Sequence, residues 1–182
     1  MQLFRRADHR VVPWKNGRGT TVEIAVHPPT GSVQGFDWRL SMATIAEDGP
    51  FSSFPGVDRV LVLLEGHGVD LVSQAHTDRL RDHDLARFPG EREVTARLHR
   101  GPVRDLNLMV RRDAYTTDAE VRRIAGAADL GSGSPILVVG VAGAPSVAGY
   151  ALEPGEALVV EGSVAAEGEG TVLVARLTPR VE

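Results

Sequence analysis

Short runs of hydrophobic residues that alternate with polar ones recur along the whole chain. Thr20 to Val26 and Trp38 to Ala43 alternate with a period of two, whereas Val60 to Leu64 is apolar on both faces. A period of two is typical of a half-buried β-strand, and a short continuous apolar run indicates a central strand. The same signals predict further strands within 69–72, 84–88, 93–98, 106–110, 136–141, 146–152, 157–160 and 171–177.

Glycine and proline separate these runs. The chain of 182 residues contains 20 glycines and 11 prolines, and such punctuation between short strands favours an all-β barrel or sandwich. Leu61 to Gly66 is faintly echoed by Ile136 to Gly140, and a Pro-Gly-Glu turn follows in each half, at Pro89 and at Pro154. The echo suggests an internal duplication but does not establish one.

A single helix is predicted in the middle of the chain. Thr117 and Glu120 form a capping-box pattern, and Val121, Ile124 and Ala128 follow at helical spacing. A Gly-Ser-Gly-Ser-Pro stretch then indicates a linker. The predicted organisation is an N-terminal barrel over 1–113, a connecting helix and linker over 114–135, and a C-terminal half over 136–182.

Composition restricts the classes of function. The formal net charge of −4 and the absence of a basic cluster argue against a nucleic-acid partner. The chain has no cysteine, so thiolate metal sites and thiol nucleophiles are excluded. No apolar run reaches the roughly 20 residues needed to span a bilayer, and the first ten residues lack the apolar core of a signal peptide. We therefore expect a cytoplasmic protein with no membrane partner.

Three segments resemble the HutD/Ves family. Its signatures are a Pro-Trp-Lys-Asn-Gly-Gly-Gly start, a Trp-Arg-x-Ser strand leading to a Gly-Pro-Phe-Ser-x-Phe-Pro-Gly loop, and an Asp-Leu-Asn-Leu strand. In this chain the first signature begins at Pro13, the second begins at Trp38 with its loop at Gly49, and the third begins at Asp105. Arg18 replaces the middle glycine of the first signature. The resemblance covers roughly the first 110 residues.

The resemblance implies an RmlC-like jelly-roll bicupin, which consists of two small β-barrels packed together, the second being degenerate. It also implies an association with histidine utilisation and a pocket for a small carboxylate. A metal-binding cupin needs a His-x-His pair on one strand, and no two of the six histidines are two residues apart. We therefore expect neither a metal nor another cofactor.

Two groups of polar residues are candidates for a ligand site. Lys15 and Asn16 lie in a Gly-rich turn that suits an anion, although a solvated β-turn is the alternative. Glu23, Arg39 and Ser41 share the polar faces of their strands, which line a barrel or else face solvent. In a barrel, the guanidinium of Arg39 could bind a ligand carboxylate with two hydrogen bonds.

Loop aromatics and a later strand complete the candidate site. Aromatic walls with a hydroxyl group and a cation suit a small planar or carboxylated ligand, and a buried Asp–Asn pair must find hydrogen-bond partners. Ordinary packing and a purely structural network are the alternatives. These candidates are Phe51, Ser52, Phe54, Arg59, Asp105 and Asn107.

Three functions remain open. The leading hypothesis is a metal-independent binder of a small anionic metabolite, such as urocanate or a formyl- or formimino-glutamate, with a regulatory or accessory role in histidine utilisation. The second is a metal-free isomerase or hydrolase that uses Glu23, Asp105 or Lys15 as an acid or base. The third is a regulator that binds a protein partner, and a homodimer is compatible with each of them. Binding is favoured over catalysis, because no dedicated acid–base pair stands out.

Overall fold

A computed structural model describes residues 1–13, 20–28 and 35–180 of the chain. In these residues the secondary structure is β, apart from a three-residue 3-10 turn at Arg6–Asp8. The chain divides into two compact units, one of Arg10–Asp113 and one that combines Met1–His9 with Ala114–Glu182. The all-β prediction is confirmed.

The strands are numbered in chain order. The first eleven are β1 Gln2–Phe4, β2 Arg10–Pro13, β3 Thr20–His27, β4 Trp38–Ile45, β5 Gly49–Pro50, β6 Val57–Glu65, β7 Val69–Val72, β8 Thr77–Leu80, β9 Leu85–Pro89, β10 Thr95–Leu98 and β11 Val103–Arg111. The remaining six are β12 Tyr115–Ala125, β13 Ala128–Gly143, β14 Ser146–Val147, β15 Tyr150–Ala151, β16 Ala157–Glu167 and β17 Glu169–Pro179.

The Arg10–Asp113 unit contains two antiparallel sheets. A six-stranded sheet has the order β2-β3-β4-β11-β6-β9, and a four-stranded sheet has the order β5-β10-β7-β8. Apolar side chains from both sheets pack into one buried cluster, because the strands alternate between an inner and an outer face. The cluster contains Ile45, Leu61, Leu63, Val69, Leu71, Leu80, Ala86, Phe88, Val94, Ala96 and Val103.

The second unit is built on one seven-stranded sheet. Its order is β12-β17-β13-β16-β14-β15, and β1 pairs with β16 so that the N-terminal residues join this unit. Its core is a cluster of buried aliphatic side chains that includes Ile124, Leu130, Val138 and Val174. Glu156 is also buried in this unit, and it accepts a hydrogen bond of 2.7 Å from Nη1 of Arg5.

The predicted helix is wrong. Residues 115–125 form β12, which pairs with β17 over its whole length. Thr117, Ala119 and Val121 alternate with exposed Thr116, Asp118 and Glu120, so the segment also fits a period of two. Tertiary pairing overrides the weak helix signal.

The predicted linker is also wrong. Residues 131–135 lie inside β13, where the register against β16 shifts between Asp129 and Gly131 and again between Gly133 and Ile136. Gly131 and Gly133 have φ values of +102° and +157°, and glycine tolerates such values without a Cβ clash. The glycines therefore allow irregular backbone within a continuous strand.

Candidate functional site

Polar residues lie side by side on the inner face of the six-stranded sheet. Arg39 on β4 and Arg59 on β6 both stand opposite Met109 of the intervening strand β11, so the three residues form one rung. Ser41 stands opposite Asn107 on the next rung, and Asp105 stands opposite Ala43 on the rung after that. Neighbouring strands lie about 4.8 Å apart, so the Cα atoms of Arg39 and Arg59 are roughly 10 Å apart.

The two arginines are buried. Arg39 is 6% exposed and Arg59 is 4% exposed. Each uses Nε for an internal contact, to Oε2 of Glu23 at 2.8 Å and to Oδ1 of Asn107 at 3.3 Å respectively. In the part of the chain that the structure describes, no hydrogen-bond acceptor engages the terminal Nη atoms of either guanidinium.

Three phenylalanine rings surround Arg59. Its guanidinium carbon lies 4.8 Å from the ring centre of Phe51, 5.1 Å from that of Phe88 and 5.9 Å from that of Phe54. Aromatic faces attract a cation, and more strongly where water is excluded. Burial lowers the pKa of Arg59 to about 10 against an opposing effect of Asp105, so the side chain is still positively charged at neutral pH.

Asp105 is the most deeply buried ionisable group of the site, with 1% of its surface exposed. The backbone N–H of Ala43 donates to its carboxyl group, but Oδ1 has no hydrogen-bond partner. Burial raises the pKa of Asp105 to about 7, and the opposing effects of Arg59 and the Ala43 hydrogen bond are smaller. The carboxyl group therefore titrates near neutral pH.

These side chains line one cavity of about 480 Å³ between the two sheets of the unit. Ile45 and Ala96 belong both to the cavity wall and to the apolar cluster described above. The remaining lining residues are Val12, Thr21, Arg39, Ser41, Ala43, Glu47, Gly49, Pro50, Phe51, Ser52, Phe54, Arg59, Asp105, Asn107 and Met109.

A close backbone approach fixes the loop that carries the aromatic wall. Gly90 donates to the carbonyl oxygen of Val57 at 2.6 Å and accepts from the amide of Phe54 at 2.8 Å. A Cβ atom at Gly90 would lie 2.5 Å from the carbonyl oxygen of Phe54. Position 90 therefore requires glycine for space, since its φ is not in the left-handed region.

The comparisons with known proteins agree with one another. The family model HutD matches residues 6–174. The chain belongs to the HutD family. It is 47% identical over 115 residues to protein Ves of Citrobacter koseri, and 40% identical over 116 residues to an uncharacterized 21.2 kDa protein in the hutC 3′ region of Pseudomonas putida. These matches cover 62% and 63% of this chain and span only 59% and 60% of the two relatives.

Solved structures extend the relation of this HutD-family chain to its full length. HutD from Pseudomonas fluorescens, described in a formate condition, superposes with a TM-score of 0.84 at 32% identity and covers 99% of both chains. A cupin 2 conserved barrel domain protein from Leptotrichia buccalis has a TM-score of 0.57 at 10% identity, over 93% of this chain and 92% of its own. The second similarity shows that the fold is cupin-like.

The structure brings eight of the eleven candidate residues of this HutD-family chain to the cavity wall. Glu23 lies behind that wall, where it contacts Arg39. Lys15 and Asn16 lie outside the described residues, as does Arg18. The eight lining residues are Arg39, Ser41, Phe51, Ser52, Phe54, Arg59, Asp105 and Asn107.

Several residues at the cavity are not among the candidates that the sequence of this family member predicted. Thr21, Ala43 and Met109 share the inner face with predicted residues, so the period of two could have identified them. Phe88 stacks on Arg59 because β6 pairs with β9. That pairing has no local signal. Glu47 follows β4 in a connection whose course the sequence does not indicate.

Neither a cluster of metal ligands nor a membrane-spanning helix occurs in the described residues of the chain. No group of three or more His, Asp or Glu side chains there is arranged to hold a metal ion. Within the same residues, no helix is long and apolar enough to cross a membrane.

Proposed function

We propose that this HutD-family chain binds a small anionic metabolite, without a metal, in the cavity of its Arg10–Asp113 unit. One observation carries the proposal. Two buried guanidinium groups lie on one rung of the inner sheet face and line the cavity, and the described residues leave their terminal nitrogens without acceptors. Buried N–H donors without acceptors are costly, so an anion from solution that accepts from these terminal nitrogens would satisfy them.

The charges of the cavity support an anionic ligand. Arg39 and Arg59 contribute two positive charges and Glu23 contributes one negative charge. Asp105 contributes between zero and one negative charge, since its pKa is about 7. These four groups together carry a charge between zero and +1 at neutral pH. Glu47, the other charged lining residue of the described chain, is exposed, so water screens its negative charge. A guanidinium group binds a carboxylate with two parallel hydrogen bonds, which fixes orientation as well as charge.

Size and shape narrow the ligand class further. A cavity of about 480 Å³ is in the range for small metabolites. The phenylalanine rings offer a flat apolar wall beside the cations. The names of the relatives connect the family with histidine utilisation. Urocanate and formyl- or formimino-glutamate match this chemistry. The protein would then have a regulatory or accessory role in histidine utilisation. Its second unit would be the degenerate barrel of a bicupin.

Calorimetry and thermal-shift measurements with these carboxylates test the proposal. A ligand at a hundred times its Kd should stabilise the folded chain by roughly 2.7 kcal/mol. Arg39→Met and Arg59→Met should each weaken binding at least tenfold, because a charge-assisted hydrogen bond is lost in a buried site. Arg100→Met changes an exposed arginine of the same unit and is the matched control. Equal binding by all three variants, or no binding of any carboxylate, would refute the proposal.

A second candidate function is a metal-free isomerase or hydrolase. Asp105 supports it, because a buried carboxyl group that titrates near pH 7 is suited to general acid–base catalysis. Glu23 fits that role less well, since it is committed to Arg39 at 2.8 Å. Formation of a product from one of the same carboxylates, abolished in Asp105→Asn, would favour catalysis over binding.

A further inference from the structure

Asp105 has no obvious structural reason to be ionised. The two cations on the same face, Arg39 and Arg59, both stand two rungs away, and they direct their Nε atoms to Glu23 and Asn107 instead. The N–H of Ala43 satisfies one side of the carboxyl group, and Oδ1 remains without a partner inside the cavity wall. An ionised carboxylate in this position would be both buried and incompletely hydrogen-bonded, which is unfavourable.

The groups that face Asp105 do not supply the missing partner. Ala43 on β4 and Leu63 on β6 stand directly opposite it, and Thr21 of β3 follows on the same rung. The four-stranded sheet contributes Pro50 and Ala96 to the cavity, and neither is charged. The charged groups that line the cavity in the described chain are Arg39, Arg59, Asp105 itself and the exposed Glu47, with Glu23 behind Arg39.

An anion in this cavity adds a second negative charge next to the carboxyl group. Two like charges in a site of low polarity cannot both be accommodated at low cost, so one of them is neutralised by a proton. A proton on the Asp105 carboxyl group removes this conflict and gives the group an O–H donor. Asp105 lines the cavity, so its protonated carboxyl group can donate to an acceptor there.

We propose that the cavity takes up its anion together with one proton, and that Asp105 holds this proton on its carboxyl group and donates it as a hydrogen bond to the anion. This inference rests on the anion-binding function proposed above. No covalent bond to carbon changes in the step. A proton from solvent is bound to the Asp105 carboxylate, which becomes a neutral carboxyl group, and the ligand keeps its own charge.

The arrangement also defines what the ligand must offer. The polar residues of the inner sheet face run from Arg39 and Arg59 at one end to Asp105 at the other, and we call this row the polar strip. The guanidinium groups and the Asp105 O–H are all donors, so the ligand must present acceptor oxygens to both ends of the polar strip. Arg59 leans toward Asn107, the residue between it and Asp105, so one small oxyanion or a short dicarboxylate can contact both. A ligand that presents an amide N–H or ammonium group to Asp105 would instead favour the ionised form of this residue and would bind without a proton.

Calorimetry in buffers of different ionisation enthalpy tests the inference. Glutarate is the first probe because it presents carboxylate oxygens and no N–H group, whereas the imidazole of urocanate titrates near pH 6 and N-formyl-glutamate carries an amide N–H. In phosphate, HEPES and Tris, the observed enthalpy should depend on the buffer. The slope should correspond to an uptake of about 0.5 proton per ligand at pH 7 and about 0.9 at pH 8, falling toward zero below pH 6. Above pH 7 the affinity should weaken about tenfold per pH unit.

Two variants assign the proton to its residue. Asp105→Asn keeps a donor and an acceptor at the site but cannot titrate, so it should bind with an affinity that is independent of pH and buffer. Glu93→Gln removes an exposed carboxylate of the same unit and should behave like the parent protein. The buffer series on the parent protein needs no variant, so the inference stays testable even if Asp105→Asn does not fold.

The outcomes separate the two proposals. Binding with buffer-dependent enthalpy that is lost in Asp105→Asn supports both. If the parent protein binds the anion without proton uptake at pH 7 to 8, and Arg39→Met abolishes that binding, the inference is refuted and the proposal of anion binding stands. Proton uptake that persists in Asp105→Asn assigns the proton to another group and also overturns the inference. If no carboxylate of the series binds, both proposals fall together.

Discussion

Asp105 should make the stability of the Arg10–Asp113 unit depend on pH even without a ligand. Burial raises the pKa of this group from 3.8 to about 7. Between these values the folded state binds more protons than the unfolded state, so the free energy of unfolding falls as pH rises. The contribution is therefore fully present below pH 4 and is lost as pH rises toward 7. The whole change corresponds to roughly 4 kcal/mol.

The Asp105→Asn variant isolates this contribution. Asparagine is nearly isosteric, its oxygen can accept from the N–H of Ala43, and it does not titrate. The stability of the parent protein minus that of the variant should fall by roughly 2.5 kcal/mol between pH 5 and pH 8, since the folded state loses its excess proton in that interval. The difference curve removes titrations that both proteins share.

Urea unfolding followed by tryptophan fluorescence is a suitable assay. Trp14 and Trp38 are the two tryptophans of the chain, and both fall within the Arg10–Asp113 unit. Glu93→Gln, which also removes one negative charge, is the control for general electrostatics. A flat difference curve would show that burial does not perturb Asp105. A curve that rises with pH would show that Arg59 holds the carboxylate ionised, and either result refutes the reasoning.

Two further predictions concern the supports of the site. Glu23→Gln keeps a hydrogen bond to Arg39 but removes one negative charge. The affinity for the anion, measured by calorimetry, should therefore rise several-fold, equivalent to about 1 kcal/mol. A weaker affinity would indicate that the charge of Glu23 holds Arg39 in place. Gly90→Ala should lower the urea midpoint, because its Cβ would lie 2.5 Å from the carbonyl oxygen of Phe54. Gly49→Ala is its control, since no atom lies within 4 Å of a Cβ there. Equal midpoints would contradict the steric argument.

The period of two explains why much of the site could be predicted from sequence. In a β-strand, residues two apart share a face, so Asp105 and Asn107 had to lie together, as did Arg39 and Ser41. Pairing of β4 with β11 brings these two pairs onto neighbouring rungs. Alternation identifies the members of a face but cannot decide whether that face is buried. The family resemblance, which implies a pocket, is what indicated that this face is buried.

Other features depend on contacts between residues that are distant in sequence. Phe88 reaches Arg59 only through the pairing of β6 with β9, and no local pattern encodes a strand partner. The capping-box pattern at Thr117 failed for the same reason, because 11 residues of pairing with β17 outweigh a short helix signal. Gly90 provides room for the loop at Phe54, and the Pro-Gly pattern around it does not indicate that contact.

The polar strip along the inner sheet face is best understood as a site that is incomplete without a ligand. A sheet face buried between two sheets is normally apolar, and in the same unit Leu61 and Leu63 satisfy that expectation. Arg39, Arg59 and Asp105 interrupt this apolar face, and the described residues leave the terminal nitrogens of both arginines and Oδ1 of Asp105 without a hydrogen-bond partner. Stability alone would favour aliphatic side chains at these positions. The arrangement is understandable if an anion and a proton complete the network, which is what the buffer-dependent calorimetry measures.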